Sequence, residues 1–419
     1  MAGLERTGPN GPKALDPAGP IGAPPTRRLV LALTAGVLTI AAASALAAPG
    51  DTNRISSGVG TAQHSSLSDD GRFIAFELYQ QGINTVDVFV IERSTGTIEK
   101  ASVAVGGGQA DNNSYEPSLS ADGRYVAFHS YASNLVAGDT NFAPDVFVHD
   151  RQTHTTERVS VGAGGVQAAT FGALQSSISA DGNRIAFRSE AATLVPGDTN
   201  GTSDVFVRDR QANTIERVSV ATGGAQGNAS AIEPSISADG RYVVFSANST
   251  NLVAGDTNNA NDIFVRDLQA GTTERVSVSS SGVQANLDSF ASGDPCCGRR
   301  MISADGRFVA FQTSASNLAA GDDNNTSDVF VRDRQTNETS RVNVSSAGLQ
   351  ANGPSAFGAI SADGRYVAFS SLSSNLISPP DSNVRFDAFV RDRETGVTTR
   401  VSVATGGGQG NDTSIANSI

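Results

Sequence analysis

Ser120-Ala121-Asp122-Gly123-Arg124-Tyr125-Val126-Ala127-Phe128 is the stretch from which the fold is read. Asp-Gly tolerates the positive φ that tight hairpin turns require, so it marks a turn between the Ser-Leu-Ser before it and the apolar run after it. Four consecutive apolar residues, Tyr125 to Phe128, describe a strand buried on both faces. The tetrapeptide recurs as Ser68-Asp69-Asp70-Gly71, Ser179-Ala180-Asp181-Gly182, Ser237-Ala238-Asp239-Gly240, Ser303-Ala304-Asp305-Gly306 and Ser361-Ala362-Asp363-Gly364. Successive turn aspartates, Asp70 to Asp363, lie 52, 59, 58, 66 and 58 residues apart. Working outward, each unit continues through a long polar stretch to Asp-Val-Phe-Val (Asp145 to Val148), a short turn, and Glu-Arg-Val-Ser-Val (Glu157 to Val161).

Each unit reads as four strands, and nothing in it has helical spacing. Six small antiparallel sheets, each buried on both faces, suit radial stacking, so the expected fold is all-β, a single six-bladed β-propeller of four-stranded antiparallel blades over residues 48–419. The serines of the first strands are expected to pack near the axis, where blades converge and space is short.

The order Ser-x-Asp-Gly-Arg-Tyr-Val-Ala-Phe, Asp-Val-Phe-Val-Arg-Asp and Thr-Glu-Arg-Val-Ser-Val resembles the WD-repeat-like propeller repeat of the TolB type, from residue 52 onward. The resemblance implies a six-bladed propeller and leaves function open, because such propellers serve many tasks. The ordinary WD repeat fits less well, since the chain has no Trp and its unit is longer than about 40–45 residues. The last-strand motif and the Gln after it occur seven times, at Gln63, Gln109, Gln167, Gln226, Gln284, Gln350 and Gln409. Thr52-Asn53-Arg54-Ile55-Ser56 is the extra copy, so it and Thr398 to Val403 compete for one place in the ring.

Residues 1–28 are proline-rich and end in Thr26-Arg27-Arg28, followed by the uncharged run Leu29 to Ile40 and small residues ending Ala45-Leu46-Ala47. This is the pattern of an export signal over residues 1–47, of either the twin-arginine or the ordinary secretory type, and it predicts a secreted, periplasmic or envelope protein with no stable membrane insertion after cleavage. The 419-residue chain carries a net charge of −12, and residues 48–419 carry 26 cations against 40 anions, or −14. That balance excludes nucleic-acid binding through phosphates. Two cysteines, Cys296 and Cys297, are too few for a disulfide scaffold or a four-cysteine zinc site; adjacent, they suit either a strained vicinal disulfide or a bridged surface insertion.

In a meander blade the loop joining strands two and three and the linker to the next blade emerge on one face, and here these are the long connections. Function is expected there. The loop carries Asp, Asn and Asp at offsets of zero, two and six. The sets are Asp139, Asn141 and Asp145; Asp198, Asn200 and Asp204; Asp256, Asn258 and Asp262; Asp322, Asn324 and Asp328; and Asp381, Asn383 and Asp387. Oxygen side chains alternating on a Gly-led turn can converge on calcium, and they can equally cap the turn by bonding nearby backbone. Catalytic motifs are missing, and His64, His129, His149 and His154 do not recur from unit to unit; His149 stands where other units have Arg and reads as a solvated substitute. The leading expectation is an exported non-enzymatic propeller that binds a protein or glycan across its long-loop face, with calcium as a possible cofactor. The alternative is a carbohydrate-active hydrolase or lyase using Glu116 and Glu233, which precede Pro-Ser at the start of first strands.

Overall fold

The computed structural model describes residues 31–34, 60–80, 84–169, 171–290 and 300–419. Six four-stranded antiparallel sheets follow one another over residues 60–100, 114–158, 173–217, 231–275, 289–341 and 355–400, each ordered from first to fourth strand without a crossover. They are the blades of a six-bladed β-propeller. The helical content among the described residues is one 3-10 turn at Ala163–Gly165, and no described helix is long and apolar enough to cross a membrane. The cleavage region at Ala47, the motif copy Thr52–Ser56 and the Cys296–Cys297 pair lie outside the described residues. Val397–Arg400 completes blade 6 and Ile98–Lys100 completes blade 1, so each of these blades is closed from its own segment. A further strand, Ser414–Ser418, follows blade 6 and pairs with Leu31–Thr34.

The second and third strands are buried on both faces, as their uninterrupted apolar runs require. Each blade places one Phe of the second strand beside one of the third, from Phe76/Phe89 to Phe369/Phe389, with stacked rings 5.6–6.2 Å apart. The fourth strand is shorter than its motif, ending at Arg158 in blade 2. There Val159 N–H still donates to Val146 O, but Val146 N–H donates to the Ser160 hydroxyl, which in turn donates to the buried Asp145 carboxylate. A side chain thus replaces the ladder, satisfying a backbone donor that burial would otherwise leave unpaired.

The Ser-x-Asp-Gly turn is knit by its own side chains. Asp122 accepts from the Ser120 hydroxyl and from Arg124 N–H, while Tyr125 N–H donates to Ser120 Oγ. Gly123 takes φ 71°, Gly182 73° and Gly306 76°. These glycines also receive the aromatic ring of the preceding blade: a Cβ on Gly182 would lie 2.1 Å from the Tyr125 ring, and one on Gly306 2.1 Å from Tyr242. The same ring lies between two guanidiniums, Arg124 of its own blade and Arg210 of the next, at 4.7 and 4.6 Å. Near the axis the first-strand serines join blades, as Ser66, Ser118 and Ser177 accept N–H donors from Leu119, Ile178 and Ile236 of the following blade. The expected crowding is therefore accompanied by hydrogen bonding.

Replacing Gly182 by Ala adds left-handed backbone strain to a collision with Tyr125, at a cost of about 2–4 kcal/mol. Gly223, also at positive φ but with open space around its Cβ position, supplies the control: urea denaturation is expected to show Gly182→Ala clearly less stable than Gly223→Ala.

Candidate functional site: a polar and aromatic pocket between blades 1 and 2

The first strands carry a bulge four residues before the turn serine, where His64, Glu116, Gln175 and Glu233 stand at φ 41°, 54°, 53° and 55°. A bulge re-aims a side chain and interrupts pairing. Beside it on the second strand stands the residue after the blade's Phe, which is Glu77, His129, Arg188, Ser246, Gln312 and Ser370 from blade 1 to blade 6. Six nearly identical blades therefore carry five different polar residues at this level, serine occurring twice.

In blades 1 and 2 these residues meet. His64 Nδ1 lies 2.9 Å from Glu77 Oε2, and Glu116 N–H donates to Glu77 Oε1 across the blade boundary at 2.6 Å. Glu116 Oε2 and His129 Nδ1 face one another at 3.4 Å, both buried and neither hydrogen-bonded within the protein. Tyr115 packs against His129 and meets Tyr131 edge-on, with ring centroids 5.5 and 6.2 Å away, and burial raises the pKa of its phenol. Together with Asn112 and Asn113, these groups line a cavity of about 480 Å³. Asn112 and Asn113 come from the linker between blades and Tyr131 from the connection after the second strand, so the cavity opens on the long-loop face. Glu233, two blades away, accepts from Ser246 and does not contribute to it.

The fifteen residues considered for calcium do converge, blade by blade, but around an arginine that their spacing did not reveal. In blade 2, Arg158 Nη1 lies 2.9 Å from Asp139 and 3.4 Å from Asp145; in blade 4, Arg275 lies 3.1 Å from Asp256 and 3.2 Å from Asp262. Arg217 stands likewise between Asp198 and Asp204, and Arg400 between Asp381 and Asp387. In blade 5, Arg341 lies 3.6 Å from Asp322 and 3.6 Å from Asp328. Asp328 also accepts from the Asn343 amide, which takes the place of the serine that other blades offer to their inner carboxylate.

Each asparagine of these sets turns N–H toward carboxylate and carbonyl oxygen. Asn141 donates to Asp145 at 2.8 Å, and Asn200, Asn258 and Asn324 do the same to Asp204, Asp262 and Asp328. Asn383 donates to Gly410 O at 2.7 Å and to Asp387 at 3.5 Å. The side-chain oxygens are engaged by loop backbone: those of Asn141, Asn200, Asn258 and Asn324 accept from N–H groups two residues on, and Asn383 Oδ1 accepts from Arg385 N–H at 2.9 Å. These are the turn-capping bonds that Asp and Asn make in loops. Gln226, Gln350 and Gln409 each donate to both carboxylates of their blades. Burial raises the pKa of Asp139, Asp145, Asp204, Asp256, Asp262 and Asp387, and it pushes Asp322 up to about 6. Among the described residues no group of three His, Cys, Asp or Glu is arranged to hold a metal ion. In blade 1, which lacks the loop motif, Lys100 takes the arginine's place, 2.9 Å from Asp87.

His149 is not solvated. It is buried against Thr156, and burial lowers its pKa. The arginines at this position in other blades are partly or wholly buried too, and Arg332 donates to Ser279 O of the preceding blade and to Asn337 O.

No family model matches the chain, and no curated protein matches it in sequence. Solved structures similar to it in fold include TolB from Acinetobacter baumannii, at 14% identity and TM-score 0.44, matched over 80% of this chain and 64% of that one. The β-propeller domain of the Trilobed protease from Pyrococcus furiosus is similar at 9% identity and TM-score 0.48, over 81% and 82%. Oligogalacturonate lyase from Vibrio parahaemolyticus is similar at 10% identity and TM-score 0.47, over 80% and 76%. The chain thus spans less than two thirds of that TolB chain, and TolB-type propellers stand among its neighbours in fold.

Proposed function

We propose that this protein is an exported, non-enzymatic propeller that binds a glycan on its long-loop face, in the pocket between blades 1 and 2. The observation that carries this reading is the facing pair Glu116 Oε2 and His129 Nδ1, buried without hydrogen-bond partners beside the half-exposed Tyr131 ring. Leaving buried polar groups unpaired is costly, and a ligand hydroxyl, which both donates and accepts, satisfies the two together. The apolar face of a sugar ring suits the tyrosine, while Asn112, Asn113 and Glu77 offer further polar contacts. Export rests on the leader-like residues 1–47.

The rival reading, a carbohydrate-active hydrolase or lyase, draws support from the same two histidine–glutamate pairs, which are chemically fit for proton transfer. Calorimetry and turnover assays on one polysaccharide panel separate the two. Binding without turnover is expected, weakened about tenfold or more by Glu116→Ala and weakened by Tyr131→Ala. Phe142→Ala, at a fully exposed loop tip, is expected to leave binding unchanged. Turnover abolished by Glu116→Gln would establish the enzyme instead, and a protein partner captured equally well by the pocket variants would move the site elsewhere on this face.

The carboxylate pairs form the floor of the long loops, and calcium is proposed there only as a supplement to the arginines. Heat and a raised melting temperature on titrating metal-stripped protein to millimolar Ca²⁺ support it; absence of both assigns the loops to arginine alone. The same pairs set a pH dependence. Asp322 titrates near 6 when folded, above the unfolded value of about 3.9, so the native state binds the extra proton between these values and stability falls as pH rises from about 4 to about 6. In thermal melts the difference between Asp322→Asn and the parent is expected to shift in the variant's favour across that window, and a pH-independent difference would refute the assignment.

A further inference from the structure

We propose that the ring has a seventh station between blades 6 and 1, and that the leader strand Leu31–Thr34 is its second strand. Ser414–Ser418 supplies the first. It packs on the first, second and third strands of blade 6 and touches the first strand of blade 1, as Ser114–Leu119 packs on the first three strands of blade 1 and touches the first strand of blade 3. Its bond to the preceding blade is also the usual one: Ala416 N–H donates to Ser370 Oγ at 2.9 Å, where Phe357 N–H donates to Gln312 Oε1 at 3.1 Å and Glu116 N–H to Glu77 Oε1 at 2.6 Å.

Leu31–Thr34 pairs with that strand in the register of a second strand. The partners are Ser414↔Thr34, Ile415↔Leu33, Ala416↔Ala32 and, past a bulge, Ser418↔Leu31. In blade 6 they are Ser355↔Ser371, Ala356↔Ser370, Phe357↔Phe369 and, past the same bulge, Ala359↔Ala368. Four pairings and one irregularity coincide, in a segment whose sequence reads as an address. The flanking blades carry the complementary signs. Tyr366 of blade 6 has the guanidinium of Arg365 over its ring but, among the described residues, none from a following blade, unlike Phe73, Tyr125, Tyr242 and Phe308. Gly71 of blade 1 has no aromatic ring of a preceding blade within 4 Å of its Cβ position. Blade 1's apolar face of Ile74, Phe76, Leu78, Phe89 and Ile91 forms a cluster of blade-1 residues alone, where other inter-blade clusters draw on two blades.

An edge strand with free N–H and C=O groups is a template for another strand. The leader strand covers this edge while it is attached, and its removal exposes the Ser414–Ser418 edge as a strand-acceptor site. Hydrogen exchange on the full chain, made in a cell-free system so that the leader is retained, tests this. Ala32→Pro combined with Leu33→Pro removes the N–H donors and is expected to speed exchange in residues 414–419 about tenfold or more, with residues 173–178 of blade 3 unchanged. A peptide of residues 28–40 added to this variant is expected to restore protection. Unchanged exchange at 414–419, or the same acceleration from Ala42→Pro combined with Ala43→Pro outside the strand, overturns the proposal.

Discussion

A flat ring held between two blades is the contact on which the propeller depends. Tyr125 lies over the turn glycine of blade 3, with one guanidinium from its own blade and one from the next against its ring. Phe73, Tyr242 and Phe308 repeat the arrangement. A single cation–π contact contributes about 0.5–1 kcal/mol at such partly exposed sites, so each ring is modest and the sum around the circle is not. The contact also dictates four letters of the repeat. Glycine leaves room for the ring, the aromatic fills it, the first arginine is held by the aspartate ending the third strand, as Arg241 is by Asp267, and the second extends to a glutamate of the preceding blade, as Arg334 does to Glu274. Blade 3 tests the rule by breaking it. Arg184 stands in the aromatic position and fills the slot against Gly240 with its own stem, donating to Gly240 O at 3.0 Å.

Because those positions must serve the neighbouring blade, they repeat, and function shows where repetition fails. The fold was legible for this reason: the inter-blade requirements recur in most units, and the Asp-Gly turns, doubly buried strands and long-loop face could be read from the repeat alone. The convergence of Asp139, Asn141 and Asp145 was legible as well. Its partner was not, because Arg158 lies thirteen residues beyond Asp145 and comes beside it only when the fourth strand folds back. The arginine was visible in each Glu-Arg-Val-Ser-Val, yet a search for oxygen ligands passes over a cation. Nor does spacing say which end of an asparagine amide faces its carboxylate, and at Asn383 as at Asn141 it is the N–H end.

The pocket was harder to read for the opposite reason. His64 and His129 recur in no other unit, and a search for repeated motifs counts that as silence. The usable signal was the column after the second-strand Phe, where Glu77, His129, Arg188, Ser246, Gln312 and Ser370 range from acid to base while the Phe before them is constant. Side chains there that reach the following blade accept an N–H from its first strand, as Glu77 does from Glu116 and Gln312 from Phe357, and any acceptor serves, so they vary without loosening the ring.

Loop length also sets this sector apart. Blades 2 to 6 join their second and third strands by long connections that carry the Asp-x-Asn motif and lean on the linker to the next blade, as Asn141 does by donating to Ala168 O. In blade 1 the second strand runs to Gln80 and the third resumes at Thr85, so only four residues connect them and both strands are eight residues long against six in blade 2. The unit whose sequence lacks the Asp-x-Asn motif is thus the one that brings His64 and Glu77 to the pocket, beside Tyr115 and Tyr131 of blade 2. Lys100 stands where the other blades have arginine, and it serves one carboxylate, Asp87, where theirs serve two.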